Sequence, residues 1–498
     1  MRGELLDEET PMPLNWSRCC DVTAATLFRL TAVAMLAAVG CGDAVDSEPV
    51  PAEPAVAPAA QSGVEPVISA GYAALITHSG VFIAGRGLED IQRDELGNDP
   101  RAAAAGKTVI DRDHKAVTVE YEGMDVPRLA VMLDGLGTIL MPIGATLDDR
   151  AMLPEVDVPM PEGNPAEIDW PDGDRLSEKP LPTEIDAELL EAAVEAAFSD
   201  DKYAPHKTLG VVVVYDDQIV AERYAPSWDM YTQYRSWSSA KSVTSALVGI
   251  LVGEGKLDVA APPPIPEWQT AGHPNADITL EHLLHMESGL TTEGRGGSYL
   301  YFGGIDTGKE VAASVPDVPP GTRWEYSNYD TLLIVRAIKT AIGDDKAFLT
   351  FPRRALLNKI GMRHTFPEID PYGNFILSSQ MWTTARDLAR FGLLYLHDGV
   401  WNGERILPEG WVDYTAEKAP MRIQQNYRDR GYGAQFWLLG DDPRVPAGTY
   451  TTSGARGQLS TIVPSHNLVV TRTGLDPAGS NWDQAELVAD VVKAIAPR

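Results

Sequence analysis

Residues 235–252 read Arg-Ser-Trp-Ser-Ser-Ala-Lys-Ser-Val-Thr-Ser-Ala-Leu-Val-Gly-Ile-Leu-Val, a polar opening followed by a long apolar run of small residues and helix formers. The pattern predicts the first turn of a helix that is buried along its length. The remaining chain must supply the surface that encloses it. Ser238 and Lys241 stand three apart, so on a helix they are neighbours on one face. A serine at a helix N-terminus has backbone N–H groups and the positive end of the dipole beside it. A lysine held within reach and partly desolvated loses its proton readily and serves as a base. Ser199 and Lys202 repeat the spacing, but Tyr203-Ala204-Pro205 follow rather than an apolar run. That lysine is expected to stay wet and protonated.

With 498 residues, the chain is long enough for two domains and an ample core. Its net charge of −30 argues against nucleic acid as a partner and against a basic patch for anionic lipid. Cys19, Cys20 and Cys41 are its three cysteines, so the folded part is expected to hold no disulfide and no thiolate metal site. Residues 30–40 are a short apolar stretch preceded by Arg18 and Arg29 and ending in small residues, the pattern of a signal peptide. Glu4, Asp7, Glu8 and Glu9 are out of place ahead of such a leader, which points to Met12 as an alternative start.

The chain divides by composition. Residues 1–41 form the leader, and 42–66, rich in Pro, Ala and acidic residues, form an extended tether. Short alternating runs at 73–77, 81–84, 116–121 and 129–133 predict a small β-rich N-terminal domain over 67–151. The prolines of 152–183 mark a linker, and the second domain spans 184–498. There an amphipathic helix over 186–199 precedes a β-hairpin whose strands, 209–215 and 218–224, meet at Asp216-Asp217. A helical middle follows, then strands at 458–463 and 468–472 and a closing helix over 483–495. Strands from both ends must therefore build one antiparallel sheet, flanked by the N- and C-terminal helices and interrupted by a mainly helical insertion. The fold class is α/β in the α+β sense.

Two further elements carry chemistry. Tyr326-Ser327-Asn328 offers a Tyr oxygen that a nearby lysine can hold as phenolate, and an amide that can orient a substrate carbonyl. A similar Tyr372-Gly373-Asn374 follows Asp370-Pro371 and reads as a turn. Ser453-Gly454-Ala455-Arg456-Gly457-Gln458 opens a late strand, where glycines let the backbone approach a ligand and a free N–H can complete an oxyanion hole.

Together, Ser238-x-x-Lys241, Tyr326-x-Asn328 and a late Gly-rich strand resemble the serine β-lactamase and penicillin-binding-protein superfamily, with its β-lactamase/transpeptidase-like fold. Tyr-x-Asn resembles the branch of class C β-lactamases, D-amino-acid peptidases and related esterases. The stretches 278–290, 383–392 and 398–408 are similar to the subgroup containing the 6-aminohexanoate-dimer hydrolases. The resemblance implies a serine hydrolase of small amides or esters working through an acyl-enzyme. It gives catalytic roles to Ser238, Lys241 and Tyr326, and an oxyanion hole to the N–H groups of Ser238 and Gln458. It gives substrate contacts to Asn328, Arg456 and Gly457, and Tyr301 joins them from the loop 291–304, whose glycines and aromatics suit a lid. No metal or other cofactor is required. Ala455-Arg456-Gly457 lacks the Lys or His with which relatives face a substrate carboxylate, so strong β-lactam hydrolysis is not expected. A D-amino-acid peptidase, a weak β-lactamase and a non-catalytic penicillin-binding-like sensor are the alternatives. Residues 36–41 also resemble a bacterial lipobox, making Cys41 the lipidated residue of an exported, membrane-anchored lipoprotein whose only membrane contact is that anchor.

Overall fold

The computed structural model describes residues 65–97, 99–123, 125–199, 206–291, 296–426, 429–477, 480 and 482–496. Cys41, its leader and nearly all of the tether lie outside them. Helix α1 (Pro66–Phe82) opens on a proline, whose fixed φ suits a first helical turn. Every residue from Ile68 to Val81 is buried. Two strands were expected at 73–77 and 81–84, but 73–82 belong to this helix and 83–84 form the turn after it. A helix enclosed on all sides carries no one-sided apolar stripe, so its short apolar runs read equally well as strands. Strands β1 (Thr108–Asp111), β2 (Ala116–Val119), β3 (Arg128–Leu133) and β4 (Gly137–Leu140) pair in that order as an antiparallel meander against α1.

Helix α2 (Ala187–Ala196) is capped by Asp186, whose side chain accepts from two N–H groups of the first turn. Strands β5 (Thr208–Tyr215) and β6 (Gln218–Tyr224) then form the expected hairpin, with Asp216 and Asp217 at φ 45° and 63° as a tight primed turn requires. Helix α3 (Ala240–Gly253) is the buried segment, followed by α4 (Gly296–Phe302), α5 (Asn328–Ile342) and α6 (Ala385–Leu396). The chain returns to the sheet through β7 (Gly431–Tyr432), β8 (Trp437–Leu438), β9 (Tyr450–Gly454), β10 (Gln458–Val463) and β11 (Leu468–Gly474), and ends in α7 (Gln484–Lys493).

The large sheet runs β7-β8-β9-β10-β11-β5-β6, antiparallel throughout. All eight residues of β5 are buried because both faces of the sheet are covered. Val211, Val213 and Tyr215 pack with Leu190 of α2 and Val488 of α7, while Val212 and Val214 face the larger core with Phe391 and Leu394 of α6. The strand alternation thus divides one apolar run between two cores. The proline-rich segment 152–183 is strapped down as well: Arg390 of α6 stacks on Trp170 and pairs with Asp174 at 2.7 Å.

Candidate active site

The site grows from a 3₁₀ turn, Trp237–Ser239, that leads into α3. Trp237 holds a left-handed φ of 48°, uncommon for a bulky residue. Its ring is clasped by Arg235 (4.0 Å) and Arg101 (4.7 Å). Ser239 Oγ donates to Gln458 O (2.9 Å) and Ser242 Oγ to Gln435 O (2.8 Å), so both sides of the turn are pinned. Ser238 itself is half-exposed while its neighbours are buried.

Lys241 lies beneath it. Its Nζ stands 3.4 Å from Ser238 Oγ and donates to Asn328 Oδ1 at 2.6 Å and Ser378 O at 2.7 Å. Burial draws its pKa down from 10.5 to about 7. Asp330 opposes that shift, but burial pushes this carboxyl up to about 8, although Ser288 Oγ donates to it at 2.8 Å. Asp330 is therefore largely neutral at pH 7 and does little to hold the ammonium. A neutral amine has two N–H bonds and one lone pair. With Asn328 and Ser378 accepting the two bonds, the lone pair is left for Ser238 Oγ.

Tyr326 closes the other side. The Lys241 Nζ sits 5.0 Å from its ring centroid. Burial raises its pKa to about 12, partly offset by the Ser238 hydroxyl and by the Arg430 charge. The phenolate expected from sequence is not what the surroundings favour; at neutral pH Tyr326 is a phenol and a proton donor. Ser327 caps α5, accepting from Tyr329 N at 3.1 Å, and so fixes Tyr326 and Asn328 on either side of the helix start. Trp324, Tyr432 and Trp437 pack around Tyr326 as an aromatic wall, with ring centroids 5.4–6.4 Å from it.

Residues 197–490, more than half of the chain, match the Beta-lactamase family. The chain belongs to that family. It is similar to the 6-aminohexanoate-dimer hydrolase of Paenarthrobacter ureafaciens, 23% identical over 322 residues that cover 57% of this chain and 78% of that protein. An uncharacterised protein of Alkalihalophilus pseudofirmus is also 23% identical, over 305 residues covering 53% and 82%. A solved family VIII carboxylesterase superposes with a TM-score of 0.50 at 16% identity, over 64% of this chain and 99% of that one, a likeness of fold. This beta-lactamase-family chain is an enzyme of the serine hydrolase type, with antiparallel sheet and helices arranged as in that family.

Arg456, Gly457 and Gln458 surround the turn that follows β9, with the Gln458 carbonyl joined to Ser239 Oγ. Residues 455–457 are not the opening of a strand but the hairpin turn between β9 and β10, with Arg456 and Gly457 both at positive φ (62° and 87°). The Arg456 guanidinium is engaged by Glu95 (3.1 Å) and by the carbonyls of Asp94 and Asp476, so it is not directed at a substrate. Gly457 makes room for Arg472, whose Nη1 would lie 1.6 Å from an added Cβ; its role is packing. Gln458 lies past the turn on β10, and its side chain donates to Gly474 O at 2.5 Å. The strand against the serine turn is β9, where a Cβ on Gly454 would lie 2.0 Å from Ser236 O.

Tyr301 belongs to the packed helix α4 rather than to a surface lid; its hydroxyl meets Ser378 Oγ at 2.7 Å, one layer behind Lys241. Part of the expected lid, residues 292–295, lies outside the described residues, as does Lys202 of the second Ser-x-x-Lys. Asn328 is present at the site, but its amide oxygen serves Lys241. Ser378, Asp330 and Arg430 were not singled out from sequence. Ser378 contributes a carbonyl, which no residue type announces.

Proposed function

We propose that this protein hydrolyses small amides or esters through an acyl-enzyme on Ser238. The observation that carries this reading is Lys241: desolvated to a pKa of about 7, with both N–H bonds of its neutral form engaged and its lone pair facing Ser238 Oγ 3.4 Å away. Lys241 takes the hydroxyl proton as Ser238 Oγ attacks the carbonyl carbon. The oxyanion is received by the Ser238 N–H and, in place of Gln458, by the N–H of Ala455, where β9 runs beside the serine turn. As the tetrahedral intermediate collapses, the Tyr326 phenol gives its proton to the departing nitrogen or oxygen and is reprotonated by the Lys241 ammonium. Water then attacks the acyl carbon and yields its proton to the amine, and the Ser238 hydroxyl is restored.

A fluorophosphonate should add once to the wild-type protein by intact mass and not at all to Ser238→Ala. An unlabelled wild type overturns the assignment. Nitrophenyl esters, linear amide oligomers, D-Ala-D-Ala and nitrocefin then separate esterase and amidase action from peptidase and β-lactamase action.

Cys41 is proposed as the lipid-bearing residue of an exported protein, on the strength of the apolar stretch that ends at it and the tether that follows. Cys41→Ser should move the protein from the detergent to the aqueous phase on two-phase extraction; a wild type already in the aqueous phase refutes the anchor.

A further inference from the structure

Residues 86–97 and 99–102 lie ahead of the region that matches the family, 197–490, yet they grip the site at two points. A helical turn, Leu88–Ile91, runs on into a π-helical turn, Gln92–Leu96, and a 3₁₀ turn, Pro100–Ala102, is capped by the Asp99 side chain. At the first point Glu95 serves two guanidiniums with its two carboxylate oxygens, accepting from Arg86 Nη1 and from Arg456 Nη1, each at 3.1 Å. The Asp94 carbonyl accepts from Arg456 Nη2 at 3.0 Å, and the Asp94 carboxylate holds Arg86 and Lys207, both at 2.6 Å. Arg456 sits in the hairpin turn between β9 and β10. Its neighbour there is Ala455, whose N–H is assigned to the oxyanion.

At the second point Asp99 accepts from Arg101 Nε at 2.8 Å, from Arg101 Nη2 at 2.5 Å and from the Tyr72 hydroxyl at 2.8 Å. The guanidinium so fixed lies 4.6 Å from the Tyr72 ring centroid and 4.7 Å from that of Trp237. Trp237 directly precedes Ser238, whose N–H is the other oxyanion donor. A bulky residue at a φ of 48° keeps that conformation only where its surroundings hold it, and Arg101 with Arg235 does so here. The side chains of Asp94, Glu95 and Asp99 are 4%, 9% and 8% exposed, so water and salt screen these pairs far less than surface ones.

One segment therefore holds both turns whose N–H groups must converge on a single oxygen. Such donors act only within about 2.7–3.1 Å of the place where the charge develops, so the spacing of the two turns matters to the reaction. We infer that Glu95 and Arg101 are positioning residues that together set the width of the oxyanion hole. Glu95 places the Ala455 N–H through Arg456, and Arg101 places the Ser238 N–H through Trp237. This rests on the serine-hydrolase reading and gives the segment ahead of the family region a part in the reaction.

The test follows 4-nitrophenyl butyrate hydrolysis per active site titrated with fluorophosphonate, beside inhibition by n-butylboronic acid. That acid adds Ser238 Oγ to boron and so sets a boronate oxygen in the hole. Glu95→Ala and Arg101→Ala should each lower kcat per titrated site by on the order of 10-fold, less than the roughly 10²–10³ lost with a whole oxyanion donor. KM should stay within about twofold, while the Ki of the boronic acid rises by about the same factor as kcat falls. A change that only loosened the fold would lower the melting temperature or the titratable fraction and leave each titrated site as fast as before. Should an alanine variant not fold, Glu95→Gln and Arg101→Met carry the same expectation. The amide has one acceptor for two guanidiniums, and Met keeps the stem without the charged plane. A kcat per site within about twofold of wild type in the variants of either residue overturns the joint assignment, and so does a fall in kcat with unchanged boronate affinity. A wild-type Ser238 that escapes fluorophosphonate removes the hydrolase reading and this inference with it; a labelled Ser238 with unaffected variants removes this inference alone.

Discussion

Asn328→Asp is the sharpest perturbation of the proposed base. Asn328 Oδ1 lies 2.6 Å from Lys241 Nζ, so the substitution sets a carboxylate against the amine with almost no change in shape. An ordinary lysine near 10.4 is neutral in roughly one molecule in 2,500 at pH 7; burial to about 7 brings that to about one in two. The site therefore gains about three orders of magnitude in competent enzyme from burial. An opposite charge at this range raises a pKa by about 1–3 units, which would return Lys241 to between about 8 and 10. In wild type, kcat/KM for an ester should rise tenfold per pH unit below about 7 and level off above it. In Asn328→Asp the same limb should move up by about 1–3 units, with about 5- to 500-fold less activity at pH 7 and recovery toward alkaline pH. The assay is a pH profile of single-turnover acylation with a nitrophenyl ester, which isolates the Ser238 step from deacylation. A folded Asn328→Asp whose limb stays at the wild-type position refutes Lys241 as the base, and so does a wild-type profile that is flat between pH 6 and 8.

Lys241→Arg should cost on the order of 10⁴–10⁶-fold in turnover, because guanidinium stays protonated, and the Ser238→Ala/Lys241→Arg double variant should be hardly worse than the worse single one in burst kinetics. Gly457→Ala would put a methyl group on the buried Arg472 guanidinium at a φ of 87°, and should lower unfolding free energy by about 3 kcal/mol or more in urea titration. Glu368 is buried against Ser79 and Thr138, and burial raises its pKa from 4.5 to about 7. The folded state then binds the extra proton, so this group's stabilisation is full below about 4.5 and is lost as pH rises toward 7. Glu368→Gln should flatten the fall of stability between pH 5 and 7, measured by urea unfolding at each pH; an unchanged slope rules the carboxyl out as its source.

What could be read from the sequence was what neighbouring residues encode among themselves. Ser238 and Lys241 meet because a three-residue offset brings side chains together at a helix start, and Ser327 announces the start of α5 as a cap. The hairpin at Asp216-Asp217 and the return of the chain to one sheet followed from short strand-like runs at both ends and the turn residues between them. The register of the late glycines did not follow. Both Gly454 and Gly457 fit a tight approach, and only the pairing of β9 with β10, together with the contact between Gly454 and Ser236 O, decides which one lies beside the turn that carries Ser238. The partner of Asn328 was equally hidden: an amide next to Tyr326 suggests a substrate carbonyl until Lys241 is seen 2.6 Å away. Arg430 and the Ser378 carbonyl arrive from segments distant in sequence with no local pattern to mark them.

The N-terminal helix and meander bear on the site through backbone carbonyls rather than through catalytic side chains. Arg128 of β3 is fully buried and donates to Val67 O (3.1 Å), Met141 O (3.1 Å) and Phe302 O (2.9 Å). Phe302 ends α4, and its ring also meets Tyr72 of α1 edge-on at 4.9 Å. One residue earlier, Tyr301 holds Ser378 by its hydroxyl and receives Gln380 Nε2 at its carbonyl (3.2 Å). Ser378 O in turn accepts one of the two N–H bonds that aim the Lys241 lone pair. A guanidinium that satisfies three buried carbonyls fixes them in direction as well as place, since each left unpaired would cost about 1–3 kcal/mol. The path from Arg128 to Lys241 therefore runs through packed, hydrogen-bonded groups at every step, and Glu368, held by Ser79 and Thr138, ties the same helix and meander to the segment that carries Ser378. An appended element of this kind explains why α1 has no exposed face: one side is covered by its own meander, and the other braces the helix standing behind the lysine.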